Sequence, residues 1–180
     1  MTSGTREKAR LFFAAWPEPN VQQALHDLGQ RLQRESGGKV VAAGNMHLTL
    51  AFLGDVESSR LPQIEAAAGR VVGTSSELLV NRVGYWRHNH IVWAGLEHCP
   101  DSLHKVVGSL SSALREIGFE LDERPYVAHV TLLRNARRGP VDSMFRGISW
   151  PVHDLALIQS VPVEGKRAYK VLRRWPLTNV

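Results

Sequence analysis

The tetrapeptide His-x-Thr-Leu occurs twice, as His47-Leu48-Thr49-Leu50 and His129-Val130-Thr131-Leu132, 82 residues apart. Chance pairing of 8 His and 6 Thr in 180 residues gives roughly 0.3 H-x-T triplets, so two copies that also share the leucine are a signal. Each copy alternates polar with branched aliphatic residues, which predicts a strand with His and Thr about 7 Å apart on one face. Leu48, Leu50, Val130 and Leu132 then face the core. Each copy also follows a helical pattern closed by glycine, His47 ten residues past Gly37 and His129 eleven past Gly118. The chain therefore reads as one domain over 1–180, a divergent duplication whose halves meet near residue 75.

Other elements fall around these strands. Residues 11–15 form an apolar run that predicts a buried strand, ended by Pro17-Glu18-Pro19. Val21, Ala24, Leu25, Leu28 and Leu32 recur at helical spacing up to Gly37-Gly38. Strands are expected at 39–42 and 46–53, followed by a helix with Leu61, Ile64, Ala68 and Val71 on one face. Residues 77–85 and 90–95 read as a hairpin across Trp86-Arg87-His88-Asn89. Asp101 is read as the N-cap of a third helix, with a stripe from Leu103 to Ile117 and a stop at Gly118. The remainder predicts strands at 128–134, 155–161 and 168–175. Hairpin-like pairs and short connections point to an α+β fold with antiparallel sheets rather than a regular parallel sheet.

Composition narrows the class. With 43% hydrophobic and 22% charged residues the chain is neither disordered nor fibrous. Its single cysteine, Cys99, excludes an internal disulfide framework and fits a reducing, cytoplasmic setting. The apolar run at 11–16 is too short for a signal peptide, and no stretch approaches the roughly 18 apolar residues of a membrane span. A net charge of +5 favours a polyanionic partner such as RNA.

Two strand-borne imidazoles suit displacement at phosphorus. Such a reaction runs in line, so a base and an acid must stand on opposite sides of the phosphate. Imidazole fills both roles because its reference pKa of about 6.5 lets one ring be neutral and the other protonated. Thr49 and Thr131 can donate hydroxyl hydrogen bonds to non-bridging oxygens, and Arg134 is the nearest candidate cation. In a flat strand its odd offset from Thr131 would aim it away, so it must reach in from the strand end or across a bulge.

Further candidates are weaker. His88, His90, His98 and Cys99 match no standard zinc spacing and read as loop residues. Basic residues from Arg134 to Arg174, including Lys166, Arg167, Arg173 and Arg174, would hold RNA phosphates where they line a cleft. Phe12, Phe13, Tyr126 and Trp175 are candidates for stacking a base, although neighbours on a strand face opposite ways and one of Phe12 and Phe13 belongs to the core.

The extended motifs Asn45-Met46-His47-Leu48-Thr49-Leu50-Ala51-Phe52-Leu53-Gly54 and Arg124-Pro125-Tyr126-Val127-Ala128-His129-Val130-Thr131-Leu132-Leu133-Arg134 closely resemble the two-histidine (2H) phosphoesterases, specifically the bacterial and archaeal RNA 2',3'-cyclic phosphodiesterases, also called 2'-5' RNA ligases. Residues 10–14, 92–96 and 169–177 resemble that family too, so the likeness spans nearly the whole chain. It departs at Ala128 and at Ala43-Gly44, where the family often has proline, while Gly165 keeps a family loop character. The resemblance implies a bilobal fold in which two antiparallel sheets, related by a pseudo-twofold axis, flank a cleft with helices outside. It implies metal-independent opening of a terminal 2',3'-cyclic phosphate to a 2'-phosphate, with His47 as general acid on the 3' oxygen and His129 as general base on water. The reverse reaction would be 2'-5' RNA ligation without ATP, and the chain has no Walker-type loop. No cofactor, no metal, no membrane and no obligate protein partner are expected, and the protein would act as a cytoplasmic monomer. Two alternatives stay open: a 2H esterase for a small nucleotide cyclic phosphate or ADP-ribose 1'',2''-cyclic phosphate, and a basic RNA-binding module without catalysis.

Overall fold

Residues 11–15 are apolar on both faces, and a strand of that kind is stable only inside a sheet. It becomes β1 (Lys8–Ala15), flanked on one edge by β3 (Leu48–Glu57) and on the other by β8 (Asp154–Val163). The computed structural model describes residues 7–178. The remaining strands are β2 (Lys39–Val40), β4 (Ser76–Trp86), β5 (Ile91–Leu96), β6 (His129–Arg134), β7 (Met144–Val152) and β9 (Lys166–Pro176). Helices α1 (Pro19–Ser36), α2 (Leu61–Ala68) and α3 (Asp101–Glu116) separate them.

The helices form where the periodicity placed them. Val21, Leu25 and Leu28 of α1 are buried, and Gly37, at φ +70°, donates its N–H to the Gln33 carbonyl and ends the helix. In α3 the stripe Leu103, Val106, Val107, Leu110 and Leu114 is buried. Asp101 is the first helical residue and Pro100 the N-cap, one position from the expectation; its carboxylate favours the positive end of the helix from there. No helix among the described residues is long and apolar enough to cross a membrane.

All pairings between named strands are antiparallel, in the order β7-β4-β5-β6-β3-β1-β8-β9, with β2 beside β6. Instead of two separate sheets, the strands form one nine-stranded sheet of a four-stranded group (β3, β1, β8, β9) and a five-stranded group (β6, β5, β4, β7 and β2), joined where Leu48 opposite Val130 is the one pair in register between β3 and β6. Topology repeats on either side of that junction. Neighbours β1 and β3 are joined through α1, and neighbours β5 and β6 through α3. The β3-side group is completed by β8 and β9 from the chain's C-terminal end. Helix α1 packs on β2, β6 and β7, and α3 on α2 and β3, which buries the main core between sheet and helices.

Strand β7 was not foreseen. Met144–Val152 contains Gly147 at φ +99° and Pro151, neither of which reads as strand, and both are tolerated because β7 is an edge strand. A second, small apolar cluster of Phe12, Ala14, Ala156 and Ile158 lies apart from the main core, with Trp16, Tyr169 and Val171 packed against it. Phe13 faces the other way and is wholly buried in the main core, its ring 5.9 Å from Trp175. Phe13 is therefore not a stacking surface for a ligand.

Candidate active site

His47 sits immediately before β3, and His129 is the first residue of β6. Because Leu48 pairs with Val130, the two H-x-T motifs meet where the two strand groups join. His47, Thr49, His129, Thr131 and Arg134 line one cleft of ≈ 850 Å³, together with Arg10, Lys39, Phe52, Lys166 and Arg167. Five of the lining residues are cationic and none is a carboxylate, so the cleft is built for an anion.

Two bulges decide what else faces this cleft. In β6, Trp93 pairs with Thr131 but Val92 pairs with Leu133, leaving Leu132 as an extra residue. Leu132 and Leu133 are consequently both buried, and Arg134 returns to the face of His129 and Thr131. The bulge resolves the offset that a flat strand would have left. In β3 the same thing happens one residue after Thr49: Ala14 pairs with Thr49 and Phe13 with Ala51. Leu50 and Ala51 are both buried, and Phe52 turns into the cleft, 50% exposed, where Arg134 stands in the other motif. The Arg10 guanidinium lies 4.9 Å above the Phe52 ring, within reach of Asp55 at 3.7 Å.

Both imidazoles are oriented by the backbone. His47 Nδ1 donates to the Asn45 carbonyl at 2.7 Å, and His129 Nδ1 donates to the Val127 carbonyl at 2.9 Å. A carbonyl only accepts, so the proton of each neutral ring is on Nδ1 and Nε2 is left for a ligand. Asn45 also donates its side-chain N–H to the Arg167 carbonyl at 3.0 Å, tying the turn before His47 to the β8–β9 hairpin.

The surroundings of the two rings differ. Trp16 stacks on His47 at 5.3 Å and 9°, with Phe12 at 4.8 Å and Tyr169 edge-on at 5.1 Å. Burial among these rings lowers the His47 pKa to about 4; the Asn45 carbonyl opposes this, and the positive charges of Arg134 and His129 add to it. His129 is also lowered by burial, against the Val127 carbonyl, and meets Trp86 edge-on at 4.5 Å. Both rings are thereby biased toward the neutral form relative to a free imidazole, His47 the more strongly.

Several expected residues lie elsewhere. Tyr126 does not line the cleft; its buried hydroxyl donates to the Thr49 carbonyl at 3.0 Å, and burial pushes its pKa up. It holds one motif against the other instead of meeting a ligand. Arg173 and Arg174 are engaged by Glu65 at 2.7 Å and Asp154 at 3.1 Å, outside the cleft. His90 Nδ1 is bonded to Tyr85 at 3.0 Å, and no group of three or more His, Cys, Asp or Glu among the described residues could hold a metal. Trp16, Phe52, Trp86 and Tyr169 were not foreseen as neighbours of the histidines or as cleft residues. Their aromatic character was visible, but not the face that each would take.

The sequence model of the LigT-like phosphoesterases matches residues 16–93. The Escherichia coli RNA 2',3'-cyclic phosphodiesterase is 34% identical over 175 residues, covering 96% of this chain and 98% of that protein. Its counterpart in Archaeoglobus fulgidus is 29% identical, over 91% of this chain and 98% of that protein. The crystal structure of E. coli LigT complexed with 3'-AMP superposes with a TM-score of 0.88 at 31% identity, over 96% of this chain and 99% of that one.

Proposed function

The chain belongs to the LigT-like phosphoesterase family, which includes the RNA 2',3'-cyclic phosphodiesterases, and from that premise we propose that it hydrolyses the 2',3'-cyclic phosphate at RNA ends to a 2'-phosphate. The observation that carries this is the meeting of two imidazoles, each fixed through Nδ1 and free at Nε2, in one cation-lined cleft. In the proposed reaction His129 Nε2 accepts a proton from water as its oxygen attacks phosphorus. His47 Nε2 gives a proton to O3' as the P–O3' bond breaks. Thr49, Thr131 and Arg134 hold the non-bridging oxygens. Phe52 is the platform for the terminal base, rather than Phe13 and Tyr126, which lie outside the cleft, or Phe12, which lines it but is buried against the His47 ring.

Retention of both imidazoles and both threonines around one cleft supports an enzyme over a passive RNA-binding module. The single cysteine supports a reducing, cytoplasmic setting. The repeated β1–α1–β3 and β5–α3–β6 units support descent of the two motifs from one ancestral copy.

No step draws on a metal, so hydrolysis of an oligoribonucleotide 2',3'-cyclic phosphate is expected to proceed at full rate in excess EDTA. Loss of activity in EDTA, restored by zinc, would contradict the scheme.

Acidity provides a sharper check. The profile of kcat/KM reports the free protein, in which both imidazoles titrate below 6.5. The reactive form has one ring protonated and the other neutral. It is depleted below the lower pKa and above the higher one, so kcat/KM should be bell-shaped with its maximum below pH 6.5. Bound phosphate anion favours protonated imidazole, so the profile of kcat should lie at higher pH than that of kcat/KM. A kcat/KM that still rises through pH 8 would be the contrary result.

Phe52→Ala is expected to raise KM for a cyclic-phosphate end about 5- to 100-fold, the range of one base stacked on an aromatic ring, with a smaller change in kcat. Equal losses in kcat and kcat/KM would instead place Phe52 in the chemical step.

A further inference from the structure

We infer that the cleft holds a second phosphate, the one on the 5'-oxygen of the terminal nucleoside, in a cradle formed by Arg10, Ser160 and Arg167; the inference rests on the reaction proposed above. The reacting phosphate is held by Thr49, Thr131 and Arg134, and a nucleoside 2',3'-cyclic phosphate carries a single negative charge. Once Arg134 has met that charge, Arg10, Lys39, Lys166 and Arg167 still line the cleft. A ligand that matches this field brings at least one more anionic group.

Strand register draws the cradle together. Arg10 of β1 pairs with Ser160 of β8, and Ser160 pairs with Tyr169 of β9, so one row of cleft residues crosses three neighbouring strands. Arg167, two residues before Tyr169, donates from Nη1 to Ser160 Oγ at 3.2 Å. Its main-chain carbonyl accepts the Asn45 side chain at 3.0 Å, which keeps it beside the turn that carries His47. Arg173 and Arg174 of the same strand are committed to Glu65 and Asp154, whereas Arg167 meets no carboxylate among the described residues. Most of its five N–H donors are therefore left for a phosphate. Arg10 reaches Asp55 only at 3.7 Å in an exposed pair, which is exchanged for a phosphate at little cost.

The shape of a nucleoside decides which phosphate this is. Base and C5' project from one face of the ribose, and the 2',3'-cyclic phosphate projects from the other. With the base on Phe52 and the cyclic phosphate between the histidines, the 5'-oxygen points to the Phe52 side of the cleft. Arg10 is the cation there, its guanidinium 4.9 Å from the Phe52 ring centre, while Lys39 stands across the cleft on β2, beside β6. An RNA end has a phosphate at this position and a cyclic mononucleotide has none, so the cradle selects RNA ends.

The test compares kcat/KM of the full chain for adenosine 2',3'-cyclic phosphate with and without a 5'-phosphate. The 5'-phosphate is expected to raise it about 10- to 100-fold, the range of hydrogen bonds to charged groups, and the advantage should shrink as salt is added. In Arg10→Gln and in Arg167→Gln the advantage should fall by roughly fivefold or more. Lys39→Gln removes the same charge from the other side of the cleft and should keep the advantage within about twofold, which separates a local contact from the general field. The wild-type comparison holds as a test even if a variant does not fold. An advantage below about tenfold in the wild type, one that persists in both arginine variants, or one lost as fully in Lys39→Gln would overturn the inference. Hydrolysis of neither substrate by the wild type would instead overturn the reaction on which it rests.

Discussion

His129→Ala is expected to lower kcat/KM for a 2',3'-cyclic phosphate end by about 10²–10⁴, and His47→Ala by a comparable factor, the range for loss of a general acid or base. Nδ1 of each ring is committed to a carbonyl, Asn45 for His47 and Val127 for His129, so only Nε2 can exchange a proton with the substrate. Nothing else lining the cleft replaces it: Tyr169 lines the cleft but packs edge-on against the His47 ring, and the other nearby polar groups are cations, amides and hydroxyls. Because the two rings act in one proton relay, the double variant should lose little more than either single one. His47 is packed by Phe12, Trp16 and Tyr169, so His47→Gln, which fills more of that space, controls for collapse of the aromatic cluster. Steady-state rates on a cyclic-phosphate oligoribonucleotide decide the matter. Near-wild-type activity in either alanine variant would remove that histidine from the mechanism.

Arg134→Ala should cost about 10²–10³ in kcat, as removal of a donor aimed at developing charge does elsewhere. Its guanidinium reaches the cleft only because Leu132 is bulged out of register, which places it beside Thr131 and within electrostatic reach of His47. Arg134→Lys should recover little of the loss, since an ammonium cannot grip two phosphoryl oxygens in a plane. A second readout separates this role from a structural one. Burial holds the His47 pKa down and the positive charge of Arg134 adds to it, so Arg134→Ala should raise it modestly above about 4, with burial still keeping it below 6.5, while Arg134→Lys should leave it unchanged. Titration of the His47 ring by NMR measures that shift. An unmoved titration with normal kcat would place Arg134 outside the site.

Much of the architecture was legible because it rests on periodicity. Strands β1, β3 and β6 and the helices α1 and α3 follow from where Leu, Val and Phe recur and where Gly37 and Gly118 interrupt them. Strand β7 was not legible, since Gly147 and Pro151 break its pattern and only its place at the sheet edge tolerates them. The meeting of His47, Thr49, His129 and Thr131 was legible as two copies of one motif, but their aromatic surroundings were not. Which ring faces the cleft depends on register, and a single bulge reverses every side chain beyond it. Phe52 and Arg134 enter the cleft through such bulges, and Phe13 leaves it because Phe12, its neighbour on β1, already faces that way. Tyr126 stands three residues before His129 and still misses the cleft, because its hydroxyl is drawn to the Thr49 carbonyl across the junction.

The most direct test of the two-histidine reaction is the identity of its product. The protein is incubated in EDTA with an oligoribonucleotide ending in a 2',3'-cyclic phosphate, and the isomeric ends are separated by chromatography. The prediction is a 2'-phosphate end from the wild type and unreacted cyclic phosphate from His47→Ala and His129→Ala. A 3'-phosphate end would contradict proton delivery from His47 to O3', and an unreacted end with the wild type would contradict the catalytic role of the cleft.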